Sequence, residues 1–144
     1  MGKRDGKTTA GVSPEDYAAL ANFRYALRKF LRFSKRLLAS EAKLTPEQYE
    51  ALLALKVLGT TKSVTVGQLS ERLQVEHHTA VSLTNKLVDA GLATKEIGRA
   101  DRRHVHVQLT MAGDSLLERL AAVHRKEIRA RSPEMVNALT HLKR

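Results

Sequence analysis

The run Gly98-Arg99-Ala100-Asp101-Arg102-Arg103 sets three arginines and a carboxylate within one short stretch. Guanidinium groups that project from a short turn can enter the narrow, electronegative minor groove of a nucleic-acid duplex. Asp101 is placed to orient one arginine across such a turn while Arg102 or Arg103 reaches outward, and spacing alone leaves the choice between those two open. The plain alternative is a solvated loop whose surface ion pair contributes about 0–1 kcal/mol.

A second constellation lies between positions 77 and 86. If Ala80, Leu83 and Leu87 turn inward on a helix, then His77, His78, Thr79, Val81, Ser82, Asn85 and Lys86 face outward or sideways. Short hydroxyls and a small apolar group suit base edges and thymine methyls, and Lys86 suits a phosphate, which positions a helix without reading sequence. Lys95 and Arg99 add charge on the segment that follows and complete the candidate DNA-contacting set. Arg24, Arg28, Arg32 and Arg36 recur at steps of four, stacking like charges on one helix face; this reads first as a solvated ridge and secondly as one wall of a carboxylate pocket. Enzyme chemistry lacks its parts: there is no nucleophile elbow, no glycine-rich phosphate loop and no coherent acid-base set. Nor is a metal or other cofactor expected. Cysteine is absent, adjacent His77 and His78 diverge on a helix, and His104 and His106 alone make no site.

The elements that must position these groups are mostly helical. Tyr17 to Leu38 carries two apolar sets, Leu20, Leu27, Leu31 and Leu38 on one face and Phe23, Phe30, Phe33 and Leu37 on another. One buried face suffices for an isolated domain, so the second face predicts a partner subunit. Thr45-Pro46-Glu47-Gln48 predicts a capped helix start, with the helix ending at Gly59. Thr65 and Gln68 form a second capping box, flanked by Val64 and Leu69 as a staple, for a short helix ending near Leu73. A further helix is expected from about Glu76 to Ala90, poorly capped by Glu76 and stopped at Gly91. Leu92 to Ile97 and His104 to Leu109 read as two strands, the second alternating Val105, Val107 and Leu109 on one face. Thr110 caps a long last helix with Leu116, Leu120 and Val123 on its inner face, and Ser132-Pro133 predicts a restart into a short terminal helix.

Composition sets the class of partner. The 144 residues fit one domain, and 25 Lys and Arg against 15 Asp and Glu leave a formal charge of +10, which favours an acidic partner, nucleic acid first. The polar stretch from Met1 to Ser13 reads as a disordered basic tail rather than a signal peptide. No run approaches the roughly 18 apolar residues of a membrane span, so no membrane partner is expected, and the lack of cysteine fits the cytoplasm.

A short helix, a tight turn and a second helix, followed at once by a basic two-stranded unit, match a helix-turn-helix with a wing. Gly91-Leu92-Ala93-Thr94-Lys95, then Asp101-Arg102-Arg103, then Val107-Gln108-Leu109-Thr110-Met111-Ala112-Gly113 resembles the wing signature of the MarR family, and Leu44-Thr45-Pro46-Glu47-Gln48-Tyr49 is similar to its second-helix opening. The resemblance covers roughly residues 20–142. It implies a mainly α fold with a small β-hairpin wing, an α+β winged helix-turn-helix with dimerisation helices over 14–43 and 111–144 around a DNA-binding lobe over 44–110. It further implies a homodimer on a pseudo-palindromic double-stranded DNA operator, acting as a repressor. In the family small anionic aromatic effectors often bind between the dimerisation helices and that lobe, which makes Arg28, Arg32, Phe30, Phe33 and Tyr49 candidate ligand residues. Lys95, His77, His78 and Glu76 depart from the common pattern. The alternative function is a sequence-indifferent architectural or RNA-binding protein; against the RNA form, the few Phe and Tyr fall mostly at helical core spacing.

Overall fold

In the computed structural model the described residues are 11–60 and 63–144. They form α1 (Pro14–Ala42), α2 (Pro46–Leu58), β1 (Val64–Thr65), α3 (Val66–Leu73), α4 (His77–Asp89), β2 (Ala93–Ile97), β3 (Val105–Leu109) and α5 (Met111–Leu142). The first ten residues of the expected tail lie outside the described ones. The chain divides into two compact units, Met1–Phe33 with His124–Arg144, and Ser34–Val123.

Helix boundaries follow local chemistry. Both expected capping boxes form: the Thr45 hydroxyl accepts from the Gln48 amide while the Gln48 side chain accepts from the Thr45 amide, and Thr65 and Gln68 repeat the arrangement. Each box satisfies two otherwise orphaned N–H groups. A third, between Ser13 and Asp16, starts α1. At its other end Lys43 adopts a left-handed conformation, φ 54°, which lets the Leu44 amide donate to the Leu38 carbonyl at 3.1 Å and stop the helix.

In the Ser34–Val123 unit, Leu38, Leu52, Leu55, Leu69, Leu87, Val107, Leu117 and Leu120 build one continuous core. That unit therefore takes in the last turns of α1 and the first turns of α5, beyond the division expected after residues 43 and 110. The sheet is antiparallel in the order β1-β3-β2, with Val64 opposite Val107 and Ala93 opposite Leu109. The fold class is as expected, a mainly helical α+β chain, but the sheet has a third strand. β1 is only two residues long and shares Thr65 with the cap of α3, so no alternation could announce it.

Three further expectations need correction. No terminal helix restarts at Ser132-Pro133, because α5 runs unbroken to Leu142 with Pro133 inside it. Proline removes the amide that would have bonded the Arg129 carbonyl, and the Ser132 hydroxyl donates to that carbonyl instead, at 3.1 Å. The inner face of α5 is set by Leu117, Leu120 and His124, not by Val123, which is exposed. On α1 the buried positions are Ala19, Ala26, Ser34 and Leu38, whereas Leu20 and Leu31 are 47% and 48% exposed and Tyr17 and Tyr25 also face outward. Small residues line the packed stripe, so the large side chains that a hydrophobicity pattern would bury are left outside.

Candidate nucleic-acid interface

A tight turn joins α3 to α4. Gln74 takes the left-handed conformation at φ 56°, ψ 49°, and the Val75 amide reaches back to the Ser70 carbonyl at 3.1 Å. α4 then begins at His77 with Glu76 at the N-cap making no side-chain capping bond, as its residue type predicts. The buried face of α4 is Ala80, Leu83, Thr84 and Leu87. The opposite face exposes His77, His78, Val81, Ser82 and Lys86, with Thr79 and Asn85 half-buried at its edges. Every α4 residue expected to face outward or sideways does so. Thr84 was not foreseen inside; its hydroxyl is buried and has no hydrogen-bond partner among the described residues.

The wing is the β2–β3 hairpin. Its tip closes through the Gly98 amide donating to the His104 carbonyl at 2.8 Å and the His104 amide to the Asp101 carbonyl at 3.1 Å. A Cβ on residue 98 would meet the Asp101 carbonyl oxygen at 2.9 Å, so glycine suits this close approach. Asp101 clamps Arg103: Nε donates to Oδ1 at 3.0 Å, a terminal guanidinium nitrogen to Oδ2 at 2.9 Å, and the Arg103 amide to Oδ1 at 3.0 Å. These bonds from the Arg103 side chain, then from its backbone, hold the Asp101 carboxyl below the usual carboxylate range and raise Arg103 in turn. Arg99 and Arg102 are exposed and have no ion-pair partner among the described residues. Of the two arginines left open by spacing, Arg103 is thus the one Asp101 orients. At the wing's base His106 Nδ1 and Ser63 Oγ share a 2.9 Å hydrogen bond that ties the residue before β1 to β3.

Two contacts fix the wing against its neighbours within the same unit. Lys95 on β2 donates from Nζ to Asn85 Oδ1 on α4. Thr110, the cap of α5, is a hub: its amide donates to the Leu92 carbonyl at 3.0 Å, its hydroxyl donates to the Gly91 carbonyl at 2.7 Å, and that hydroxyl accepts from the Gly113 amide at 3.0 Å. Gly91 itself has φ 77° and turns the chain out of α4. Neither contact was visible from spacing alone, because each joins elements whose approach is set by the tertiary fold.

The residues proposed for an effector divide between the two units. In the first, Phe30 and Phe33 meet the buried His124 ring edge-on at centroid distances of 6.1 and 6.4 Å, and Arg28 and Arg32 are solvent-exposed. Tyr49 belongs to the second unit, where it is a core residue whose phenol is pushed up by burial. Among the described residues no group of three or more His, Cys, Asp or Glu could hold a metal ion, and no helix is long and apolar enough to cross a membrane.

A short helix, a left-handed turn, a second helix with an exposed polar face and an arginine-tipped hairpin define a winged helix-turn-helix protein. Residues 42–104 match the family model described as MarR family. The curated relative PecS of Dickeya dadantii (strain 3937), an HTH-type transcriptional regulator, is 29% identical over 105 residues, 72% of this chain and 63% of that protein. The aligned stretch thus spans less than two thirds of the length of that relative. Among solved structures, a Staphylococcus aureus MepR variant bound to an oligodeoxyribonucleotide is similar with a TM-score of 0.66 at 20% identity, covering 88% of this chain and 94% of that one. BpsR of Bordetella bronchiseptica, described with regulation of its DNA binding by 6-hydroxynicotinic acid, gives 0.66 at 22% identity, covering 83% and 86%. The chain belongs to the MarR family of winged helix-turn-helix transcriptional regulators.

Proposed function

We propose that this protein is a homodimeric, sequence-specific regulator that binds a pseudo-palindromic duplex operator and acts as a repressor. The observation that carries the reading is the pairing of the exposed α4 face with a wing whose Arg103 is clamped by Asp101, leaving Arg102 and Arg99 unpaired at the tip. α4 enters the major groove with His78, Val81, Ser82 and Asn85 toward base edges and Lys86 toward phosphate. Arg102 and Arg99 enter the flanking minor groove, where negative potential is greatest. The exposed Tyr17, Leu20, Tyr25 and Leu31 of α1 and Ile128, Val136 and Leu139 of α5 support a second copy as partner, since large apolar side chains left outside at this density mark an association surface. Sedimentation is expected to give twice the 16.0 kDa chain mass. Footprinting is expected to give two protected major-groove patches one helical turn, about 34–36 Å, apart. A folded monomer at micromolar concentration, or protection without two-fold symmetry, overturns the reading.

Relief by a small anionic aromatic compound is the second part of the proposal. Its support is the exposed Arg28 and Arg32 near the Phe30 and Phe33 rings on α1, and the heteroaromatic carboxylate named for BpsR. A ligand shifts operator binding only by its differential affinity for two dimer shapes, typically about 1–3 kcal/mol, so a fivefold to roughly hundredfold loss is expected. Calorimetry with hydroxylated benzoates, alongside Arg28→Ala and Arg32→Ala, tests it. No binding across the panel, or binding unchanged in both variants, removes the effector site and leaves a solvated arginine ridge.

A further inference from the structure

The hydrogen bond between Lys95 and Asn85 constrains what α4 can read. An ammonium group only donates, so the Asn85 atom facing Lys95 Nζ must be the carboxamide oxygen. The orientation of this amide is therefore settled by chemistry, although amide oxygen and nitrogen are otherwise hard to tell apart. With Oδ1 held toward β2, the outward part of the side chain is the Nδ2 group, a donor pair. Asn85 lies on the stripe of His78, Val81 and Ser82, one turn beyond the last two, and is half-buried at the edge of the exposed face of α4.

A free asparagine reads adenine in two bonds, accepting from N6 and donating to N7. An asparagine whose oxygen is already engaged can only donate. We infer that Lys95 is a specificity-setting positioning residue: by holding Asn85 Oδ1 it turns Asn85 from an adenine reader into a pure donor, suited to edges that carry acceptors, guanine N7 and O6 or thymine O4. Lys95 thereby acts on base choice through Asn85, without itself touching a base. The inference rests on the proposal that α4 enters the major groove.

Lys95→Met keeps the aliphatic length of the side chain and removes the donor, whereas Lys95→Arg keeps a donor. The experiment selects binding sites from a randomised duplex library with the wild-type chain, Lys95→Met, Lys95→Arg and Asn85→Ala, and then measures affinity against salt for the preferred sites. In the wild-type chain one position in each half-site is expected to favour guanine or thymine over adenine. Lys95→Met is expected to shift that position toward adenine by about tenfold, the range of one bidentate contact. Lys95→Arg is expected to keep the wild-type preference, and Asn85→Ala to erase preference there alone. If Lys95→Met instead weakens all sequences equally and lowers the slope of log K against log salt by about 0.9, Lys95 is a phosphate contact and the inference is wrong. The same holds if base preference is unchanged in Lys95→Met. If the wild-type chain enriches no sequence at all, it is the major-groove reading itself that has failed.

Discussion

Replacing Gly113 with alanine places a Cβ 2.0 Å from the Leu92 carbonyl oxygen and 3.0 Å from its carbon. An unstrained carbon–oxygen contact is about 3.3 Å, so the helix and the chain entering β2 would have to separate by more than an ångström. Neither side is free to move. The Leu92 carbonyl accepts from the Thr110 amide, and the Thr110 hydroxyl bridges Gly91 and Gly113. Separation breaks these three hydrogen bonds, worth about 1 kcal/mol each net, or keeps them at an overpacking strain of about 1–3 kcal/mol. The gain in helix propensity from Gly to Ala is at most about 1 kcal/mol, which does not offset either route. A net loss of about 2–3 kcal/mol is expected, seen as a fall in Tm of roughly 5–10 °C by circular dichroism for a chain of this length. Gly67→Ala is the internal control: in α3 its Cβ meets only the Thr65 hydroxyl, at 3.8 Å, so propensity alone acts and stability should rise slightly. If Gly113→Ala melts at or above the wild-type temperature, the hub at Thr110 does not hold α5 to the wing.

Other outcomes follow from single groups. Thr84→Val removes a buried hydroxyl with no partner among the described residues at nearly constant shape, and should raise stability by about 1 kcal/mol in urea unfolding; a loss would mean the hydroxyl is bonded. Asp101 is held below the usual carboxylate range by Arg103, so the clamp's contribution is present above the ordinary carboxylate pKa, about 3.9, and is lost as pH falls through the lowered value. Arg103 side-chain NMR signals should accordingly stay constant from about pH 8 to about pH 5, both above the ordinary carboxylate range, and move only in stronger acid. Arg102→Ala combined with Arg103→Ala should lower the salt slope of DNA binding by about 0.9 for each phosphate that the two guanidinium groups neutralise, with unchanged circular dichroism; an unchanged slope takes the wing out of the interface.

Much of the fold was legible because it is written in local chemistry. Thr45 with Gln48 and Thr65 with Gln68 announce helix starts through residue types that satisfy orphaned amides, and Val105, Val107 and Leu109 announce a strand by alternation. The exposed face of α4 followed from three inward residues and a helical period. What escaped depends on groups distant in sequence or on substitutes for a missing bond. Pro133 reads as a helix break until Ser132 is seen to take over the Arg129 carbonyl. The packed stripe of α1 is built on Ala19 and Ala26, which a search for large apolar residues passes over. Thr84 is interior although its type suggests surface, and the Lys95–Asn85 bond joins a strand and a helix that only the folded lobe brings together.

The central claim, sequence-specific duplex recognition through α4 and the wing, is tested most directly by the affinity of the wild-type dimer for its selected operator against a scrambled duplex of equal length and composition at fixed physiological salt. A regulator of this kind is expected to favour the operator by roughly 10³-fold or more; equal affinity for the two duplexes would contradict the claim and leave a basic protein bound to phosphate alone.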